Sequence, residues 1–427
     1  MTMTRTHAFL LIVALGLCNP AAMAAAPQTR AIASAADPSD ALFDDAAVQE
    51  IRLLVNARDW QTLKTTALEN TYYPCDFQWG SQVVRNAGLR SRGNGSRSGT
   101  KPGLRIDFDR YSTDQTFLGL KSVVLRNNTQ DASNMHERLS MELFRRLGLA
   151  TPREAYVKLY VNNEYAGLYT VVESIDKHFL KHTFNENDGY MYKYENSVDA
   201  TPYYFNYLGP DPALYVPFPF KPETHENDAR PEFIERLALA ISEPDRPSFR
   251  STMAEFVDLE KFVRHVAVEN FLADNDGILG KWGMNNFYLY RLENSPRFEF
   301  ITWDRSEAFK GGSDYPILHN IADVPSWERN RLMNGAMNYR DLADLYLDTL
   351  LECARSVTEI EGGASDDQGW LVREIKRQYA QISAAALADP VKPYTNDEFV
   401  GAVQELLTFA ASRSAFVQQE VSRLRRP

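Results

Sequence analysis

The sequence predicts an α+β protein in which a strand-rich first half precedes a mainly helical second half. Short apolar segments with period-two alternation, separated by glycine and asparagine turns, recur up to about residue 195. Apolar residues at helical spacing dominate from residue 256 onward. The chain of 427 residues is longer than one compact core usually requires, so we expect two lobes.

The first 24 residues have the pattern of a cleavable signal peptide. Arg5 and His7 precede an apolar segment, residues 8–17, which is shorter than the roughly 20 residues that a membrane-spanning helix needs. Ala22-Met23-Ala24 then supplies small residues at the cleavage positions. We therefore expect an exported protein, periplasmic or extracellular, with no transmembrane span. Residues 25–47 are rich in Ala, Ser, Pro and Asp and predict a flexible linker.

Charge and cysteine usage narrow the class of protein. A net charge of −11 disfavours nucleic-acid binding, which requires a basic surface. The seven histidines are scattered and no C-x-x-C pair accompanies them, so no zinc site is expected. Once the signal peptide is removed, Cys75 and Cys353 remain, and they are either free thiols or one disulfide bond.

Residues 48–195 carry most of the strand signals. A helix is also clear there, because Met135, Leu139 and Leu143 recur at helical spacing before Gly148 ends the pattern. The predicted strands are residues 50–55, 83–91, 104–108, 122–127, 155–161, 167–173 and 190–194, and the predicted helices are residues 134–147 and 174–182.

Residues 196–250 differ in composition, because tyrosines and phenylalanines alternate with prolines between residues 203 and 222. This segment is predicted to be an insertion whose aromatic side chains either form a binding surface or fill the seam between the lobes. The remaining residues, 251–427, are predicted to form a helical lobe, interrupted by a hairpin. The helices are expected from residue 256 to about 273, and at 340–355, 366–388 and 395–424, and the hairpin strands at 286–292 and 297–303.

Three clusters carry residue types suited to chemistry. A glycine-rich loop with Arg92 and Lys101 offers backbone amides and cations to phosphates. Asp274-Asn275-Asp276-Gly277 follows a helix, where carboxylates oppose the helix dipole and need a cation, a metal or a proton-transfer role. Asn286 and Asp304 flank the predicted hairpin and are oxygen ligands of the kind that Mg²⁺ prefers.

The order of these features is the order of a protein-kinase core, although the HRD and DFG signatures are absent. In detail the sequence resembles the spore coat protein H (CotH) kinase family. The resemblance is carried by Arg92-Gly93-Asn94-Gly95-Ser96-Arg97-Ser98 through residue 108, by residues 148–176, by Tyr190-Met191-Tyr192-Lys193, and by residues 276–304. It covers about residues 48–310 and implies an atypical, two-lobed protein-kinase-like fold with an antiparallel-sheet N-lobe, residues 48–195, and a mainly helical C-lobe.

The resemblance implies a nucleotide site in the N-lobe. Lys101 is expected to contact the phosphates of ATP, with Arg92 supporting the same loop. Kinase logic makes Glu142, on the helix at 134–147, the ion-pair partner of Lys101. The segment around Glu173 is expected to be the hinge whose backbone meets adenine.

The resemblance also implies a catalytic and metal site in the C-lobe. Asp276 resembles the catalytic base that orients the acceptor hydroxyl, and Asn286 and Asp304 resemble the ligands of Mg²⁺ or Mn²⁺. The family often has a further aspartate two residues after Asp304, where this chain has Ser306. That departure weakens the case for a second metal ion.

Three functions remain open from the sequence. The leading one is an exported kinase that transfers the γ-phosphate of ATP to Ser or Thr of a secreted or envelope protein. The second is a non-catalytic surface, coat or matrix protein that uses the same scaffold for binding, because a fold does not fix a function. The third is a secreted glycoside hydrolase that uses Asp276 and Asp304 as its two carboxyl groups.

Overall fold

Seven strands close into a barrel in the N-terminal part of the computed structural model, which describes residues 37–195, 202–325, 328–360 and 367–426. They follow the order β1-β2-β3-β4-β5-β7-β6. The strands are β1 (Gln49–Val55), β2 (Tyr73–Trp79), β3 (Gln82–Ser91), β4 (Leu104–Asp107), β5 (Ser122–Arg126), β6 (Glu154–Val161) and β7 (Glu164–Glu173).

The closure of this barrel differs from the antiparallel sheet that was expected. Neighbouring strands are antiparallel except β1 and β6, which pair in parallel with Ile51 opposite Leu159. That pairing joins residues more than 100 positions apart in the chain, and no local sequence pattern encodes it. The protein is therefore α+β, as predicted, but its first sheet is a closed barrel.

Apolar side chains from alternate strand positions fill the barrel. On β1, Ile51, Leu53 and Val55 are buried, and the residues between them are more exposed. Phe77 and Phe108 pack edge to face with ring centroids 5.1 Å apart. Burial of each such side chain stabilises the fold by about 1.5–3 kcal/mol, so these side chains form a hydrophobic core of the barrel.

Three helices accompany the barrel strands: α1 (Ala57–Thr65), α2 (His136–Arg146) and α3 (Lys177–Phe184). The α2 helix is the one predicted at 134–147, and Leu139, Leu143 and Phe144 on its apolar face are buried. The α3 helix begins where the Asp176 carboxylate accepts hydrogen bonds from the backbone N–H groups of His178 and Phe179.

A second, four-stranded antiparallel sheet has the order β11-β10-β8-β9. Its strands are β8 (Tyr190–Tyr194), β9 (Phe220–Pro222), β10 (Phe287–Arg291) and β11 (Phe298–Thr302). Since β9 lies within residues 196–250, that segment is an integral part of this sheet. Of the two alternatives for its aromatic residues, the structure favours core packing, because Tyr203, Phe205, Tyr215 and Phe220 are buried.

Helices form the rest of the described chain: α4 (Glu232–Ile241), α5 (Phe249–Phe256), α6 (Leu259–Phe271), α7 (Arg331–Met337), α8 (Arg340–Thr358), α9 (Trp370–Leu387) and α10 (Asn396–Leu424). Buried Arg413 of α10 donates hydrogen bonds to the carbonyl oxygens of Asn270 (2.6 Å) and Phe271 (2.9 Å), which end α6. This cation stabilises the C-terminus of the helix that leads into residues 274–277. In the part of the chain that the structure describes, every helix is too short or too polar to cross a membrane.

Two further expectations change in the described chain. The predicted signal peptide and residues 25–36 lie outside the described residues, but residues 38–47 of the predicted linker pack against the fold. There Leu42 and Phe43 are buried, and the Asp45 carboxylate pairs with Arg138 at 2.6 Å. From Pro38 onward the described chain forms one compact unit. Cys75 and Cys353 are buried free thiols, so the disulfide alternative is wrong.

Candidate functional site

A cavity of about 420 Å³ lies between the barrel and the second sheet. Its walls include the end of β3 with the glycine-rich loop, the ends of β5 and β7, strands β8 and β9, and the residues that flank the β10–β11 hairpin. The charged lining residues are Arg90, Arg92, Arg97, Arg105, Lys193, Lys221, Glu195, Glu223 and Asp304. Six are basic and three are acidic, in a protein whose net charge is −11. The cavity therefore suits an anionic ligand.

Asp276 lies at one edge of this cavity, on the loop after α6. Its carboxylate accepts hydrogen bonds from the side-chain amides of Asn285 (3.0 Å) and Asn286 (2.9 Å), both of which line the cavity. Burial raises the pKa of Asp276 to about 7; the Asn285 hydrogen bond opposes this increase, and the charges of Asp274 and Asp304 add to it. The carboxylate is held in a fixed orientation that suits proton exchange with a hydroxyl group.

The cation that Asp274 requires at the end of a helix is Arg305. This guanidinium is fully buried, and its Nη1 atom lies 2.7 Å from Asp274 Oδ2 and 2.8 Å from Glu269 Oε1. Its Nη2 atom donates a hydrogen bond of 2.7 Å to the carbonyl oxygen of Asn286. One arginine therefore ties the Asp276 loop, the start of the hairpin and the segment after Asp304 into one rigid unit.

Asp304 follows β11 and faces both the cavity and Arg126. Its Oδ2 atom lies 2.5 Å from Arg126 Nη1, and its Oδ1 atom accepts a hydrogen bond of 2.9 Å from the Ser306 hydroxyl. Burial alone would raise the pKa of Asp304, but Arg126, followed by Arg92, holds it well below its usual range. The carboxylate therefore stays ionised.

Arg126 itself ends β5 and is 8% exposed. Besides Asp304 it has Glu137 Oε1 3.2 Å from its Nε atom, and its guanidinium lies over the Trp303 ring, 4.8 Å from the centroid. Arg92 lies over the same ring at 5.6 Å, and burial lowers the pKa of Arg92 to about 10. Two arginines thus flank one tryptophan at the Asp304 end of the cavity.

The oxygen ligands for a divalent cation are present in this cluster. Asp304 supplies an ionised carboxylate. Since Nδ2 of Asn286 donates to Asp276, the Oδ1 atom of that amide remains for a cation. Hard oxygen donors of this type fit Mg²⁺ or Mn²⁺.

Comparison with known proteins identifies the family of this chain. A family model described as CotH kinase protein matches residues 89–417, which is more than half of the chain. The chain belongs to the CotH kinase protein family. Inner spore coat protein H of Bacillus subtilis (strain 168) is 22% identical over 372 residues, covering 87% of this chain and 97% of that relative.

Lys101 lies outside this cluster of site residues. Its Nζ atom donates hydrogen bonds to Asp389 Oδ2 (2.7 Å) and to the carbonyl oxygen of Leu168 (2.9 Å), and the side chain is 1% exposed. The expected ion pair with Glu142 is absent, because Glu142 accepts from Arg138 at 2.9 Å. The predicted Lys101–Glu142 ion pair is therefore wrong, because chain order alone does not show which carboxylate a lysine meets in the fold.

Glu142 belongs to a different cluster of carboxylates on the CotH fold. Together with Asp45 and Glu374 it offers oxygen atoms within 4.8 Å of one another. Arg138 and Arg377 bind these carboxylates at 2.5–2.9 Å, so they have cationic partners already. We interpret this cluster as a structural ion-pair network.

Glu173 is fully buried at the end of β7, and its carboxylate accepts from Arg153 (2.7 Å) and pairs with His182 (2.8 Å). Its side chain is therefore structural. The next two residues, Ser174 and Ile175, line the cavity, so the segment around Glu173 does reach the candidate ligand site.

Three residues that build this candidate site were not identified from the sequence: Arg126, Glu137 and Arg305. Arg126 could have been recognised as a candidate, because it is a charged residue at the end of the mostly apolar strand that precedes α2. Glu137 follows in the first turn of α2, where an acidic residue is common for electrostatic reasons and attracts no attention. Arg305 comes directly after Asp304, and only the fold shows that it reaches Asp274.

Proposed function

We propose that this protein is an atypical protein kinase that transfers the γ-phosphate of ATP to a Ser or Thr hydroxyl of an exported protein. The carrying observation is that Asp276 is hydrogen-bonded to Asn286, which lines the same cavity as Asp304, and that most of the charged residues lining this cavity are basic. A triphosphate needs such a lining, and a hydroxyl acceptor needs a positioned carboxylate next to it. The signal-peptide pattern supports an exported acceptor.

Asp276 would accept the proton of the acceptor hydroxyl as the hydroxyl oxygen attacks the γ-phosphorus, while the bond from the γ-phosphorus to the β,γ-bridging oxygen breaks and ADP leaves. Asn285 and Asn286 hold both carboxylate oxygens, which reduces the number of orientations that Asp276 samples. Arg305 holds the loops that carry these residues in a fixed position relative to one another. Asp304 and Asn286 would hold Mg²⁺ or Mn²⁺, which supplies positive charge for the phosphate oxygens when it is bound.

In this proposal the barrel with α2 would act as an N-lobe that supplies the glycine-rich loop and Arg92. The second sheet with the later helices would act as a C-lobe that supplies Asp276, Asn286 and Asp304. Both belong to one compact unit of the described chain. Ser174 and Ile175, between the two, would contact the adenine base.

A non-catalytic binding protein is the second candidate, and one observation favours it. The Oδ2 atom of Asp304 is engaged by Arg126 at 2.5 Å, so a metal ion competes with an existing ion pair. The name of the Bacillus subtilis relative, a coat protein, fits a binding role as well. The glycoside hydrolase hypothesis is disfavoured, because the six basic lining residues have no role in sugar hydrolysis.

Radiolabel transfer from γ-³²P-ATP distinguishes these candidates. The purified protein is incubated with Mg²⁺ or Mn²⁺ and a casein-like acceptor, and Asp276→Asn is compared with Asp397→Asn, an exposed aspartate on α10. We expect label on the acceptor or on the protein itself, reduced at least about 100-fold by Asp276→Asn and unchanged by Asp397→Asn. The absence of transfer by the wild type, or equal transfer by Asp276→Asn, would overturn the proposal.

A further inference from the structure

We infer that Arg126, positioned by Glu137 and Trp303, is the cation that contacts the nucleotide phosphates in this chain, the role that the sequence assigned to Lys101. The inference rests on the proposed function, because it identifies which residues of the same site bind the phosphates. It does not follow from the chain order of motifs, which points to Lys101.

Arg126 has hydrogen-bonding capacity that the fold leaves unused. The side chain is 8% exposed, and its Nη2 atom has no hydrogen-bond partner among the residues that the structure describes. Its Nε atom lies 3.2 Å from Glu137 Oε1 as an ion pair, without a hydrogen bond between them. A guanidinium has five N–H donors, and leaving them unpaired in a buried site is unfavourable. A phosphate group accepts parallel hydrogen bonds from the terminal nitrogens of such a fork, so its oxygen atoms would satisfy Nη2.

Arg126 also lies beside the cavity, at its Asp304 end. Arg126 contacts Asp304, which lines the cavity, and Val124, two residues earlier on β5, lines it too. A smaller space under the glycine-rich loop is lined by Arg126, and Arg92 lines both this space and the cavity. Arg126 and Arg92 therefore stand where the glycine-rich loop meets the candidate metal ligands, which is where a triphosphate has to lie.

Contacts from two other parts of the chain hold the guanidinium. Arg126 is on β5, Glu137 is on α2, and Trp303 with Asp304 follows β11. The other carboxylate oxygen of Glu137 accepts a hydrogen bond of 2.5 Å from the backbone N–H of Arg305. Glu137 thus links Arg126 to the segment of the metal ligand, which makes Glu137 a positioning residue.

A phosphate on Arg126 would also change the state of Asp304. If phosphate oxygens take the Nη1 donor that now binds Oδ2, this carboxylate oxygen becomes available to a cation. The observed ion pair would then be the resting arrangement of the site. Lys101 has no comparable freedom, since its ammonium is already bound by Asp389 and by the Leu168 carbonyl oxygen.

Calorimetric binding of ATP, ADP and adenosine tests the inference on the purified protein. The matched variants are Arg126→Met and Lys101→Met, each of which replaces a buried cation by an uncharged chain. We expect Arg126→Met to weaken ATP binding about 10- to 100-fold while adenosine binding stays unchanged. Arg126→Lys should restore part of the loss, Glu137→Gln should weaken ATP binding less than Arg126→Met does, and Lys101→Met should leave the ratio of ATP to adenosine affinity unchanged.

The outcomes separate the two proposals. If the wild type binds neither ATP nor ADP, the proposed function fails. If the wild type binds ATP and Arg126→Met keeps the same ratio of ATP to adenosine affinity, or loses both ligands equally, the role of Arg126 is structural and the inference fails. Should Arg126→Met not fold, Arg126→Lys and Glu137→Gln decide by the same ratio. If only Lys101→Met lowers the ratio of ATP affinity to adenosine affinity, Lys101 and not Arg126 contacts the phosphates.

Discussion

Lys101 and Asp389 form a buried ion pair between residues that are 288 positions apart in the chain. The distance from Nζ to Oδ2 is 2.7 Å, and both side chains are 1% exposed. The same carboxylate oxygen accepts a hydrogen bond of 3.0 Å from the backbone N–H of Leu168 on β7. The pair therefore anchors the connection between α9 and α10 to the barrel, next to the base of the glycine-rich loop.

Removing one partner of this pair should be costly. We expect Lys101→Met to lower the free energy of unfolding by about 3–5 kcal/mol, because it leaves the Asp389 carboxylate buried and unpaired. The double variant Lys101→Met/Asp389→Asn should recover part of the loss, since an amide keeps an acceptor for Leu168 without a charge. Urea unfolding measures both, and a double variant less stable than the single one would contradict this account.

Gly167 should be sensitive to substitution, because it lies against the buried Asp389 carboxylate. Its φ of +115° is unfavourable for other residues, and an added Cβ atom would meet Asp389 Oδ2 at 2.5 Å. Gly148 is the matched control, because its φ is +75° but its Cβ atom would meet nothing within 4 Å. We expect Gly167→Ala to lower the melting temperature clearly more than Gly148→Ala, by the equivalent of about 1–3 kcal/mol of overpacking. Equal effects of the two substitutions would show that Asp389 moves aside without cost.

Substitutions of the adjacent residues Asn285 and Asn286 should distinguish two roles: orienting the Asp276 carboxylate and binding the metal ion. Both amides hold the Asp276 carboxylate, but the proposal gives only Asn286 an oxygen on the metal. In the transfer assay we expect Asn286→Ala to raise the Mg²⁺ concentration for half-maximal rate about 10-fold or more. Asn285→Ala should lower the rate without moving that concentration. The reverse assignment, or the same shift in both, would argue against Asn286 as a ligand.

Glu173 should contribute a pH-dependent part of the stability. Burial alone would raise the pKa of this carboxyl, but His182 and Arg153 hold it below its ordinary value of 4.5. Because the folded pKa is the lower one, the stabilisation is present above pH 4.5 and is lost as the pH falls through the folded pKa. Glu173→Gln should therefore be less stable than the wild type at pH 7, with a difference that shrinks below pH 4.5. Urea unfolding of both proteins between pH 7 and a pH below 4.5 measures how this stability difference changes with pH. A stability difference that does not depend on pH would contradict the prediction.

Local sequence patterns predicted many of the helices and strands, but they did not predict which strands pair over long distances in the chain. The α2 helix, the β6–β7 hairpin and the three long C-terminal helices lie close to their predicted positions, because helical periodicity and an asparagine turn are local signals. The parallel contact between β1 and β6, which closes the barrel, depends on residues far apart in sequence. So does the use of Phe220 in a strand of the second sheet.

The candidate site shows the same division. Asp276, Asn286 and Asp304 were chosen from motif order, and the structure brings them together through hydrogen bonds and a shared arginine. Lys101 was chosen on the same grounds and is bound elsewhere. The difference lies in the environment of each charge, since only the fold shows that Lys101 faces Asp389 while Arg126 faces Asp304.

The most direct test of a phosphotransfer site in this cavity is anomalous diffraction from Mn²⁺ in crystals grown with a non-hydrolysable ATP analogue. The account predicts one manganese peak bonded to a carboxylate oxygen of Asp304 and to Oδ1 of Asn286, with phosphate oxygens in contact with Arg126. A nucleotide whose phosphates lie against Lys101, or manganese found only at Asp45, Glu142 and Glu374, would contradict it.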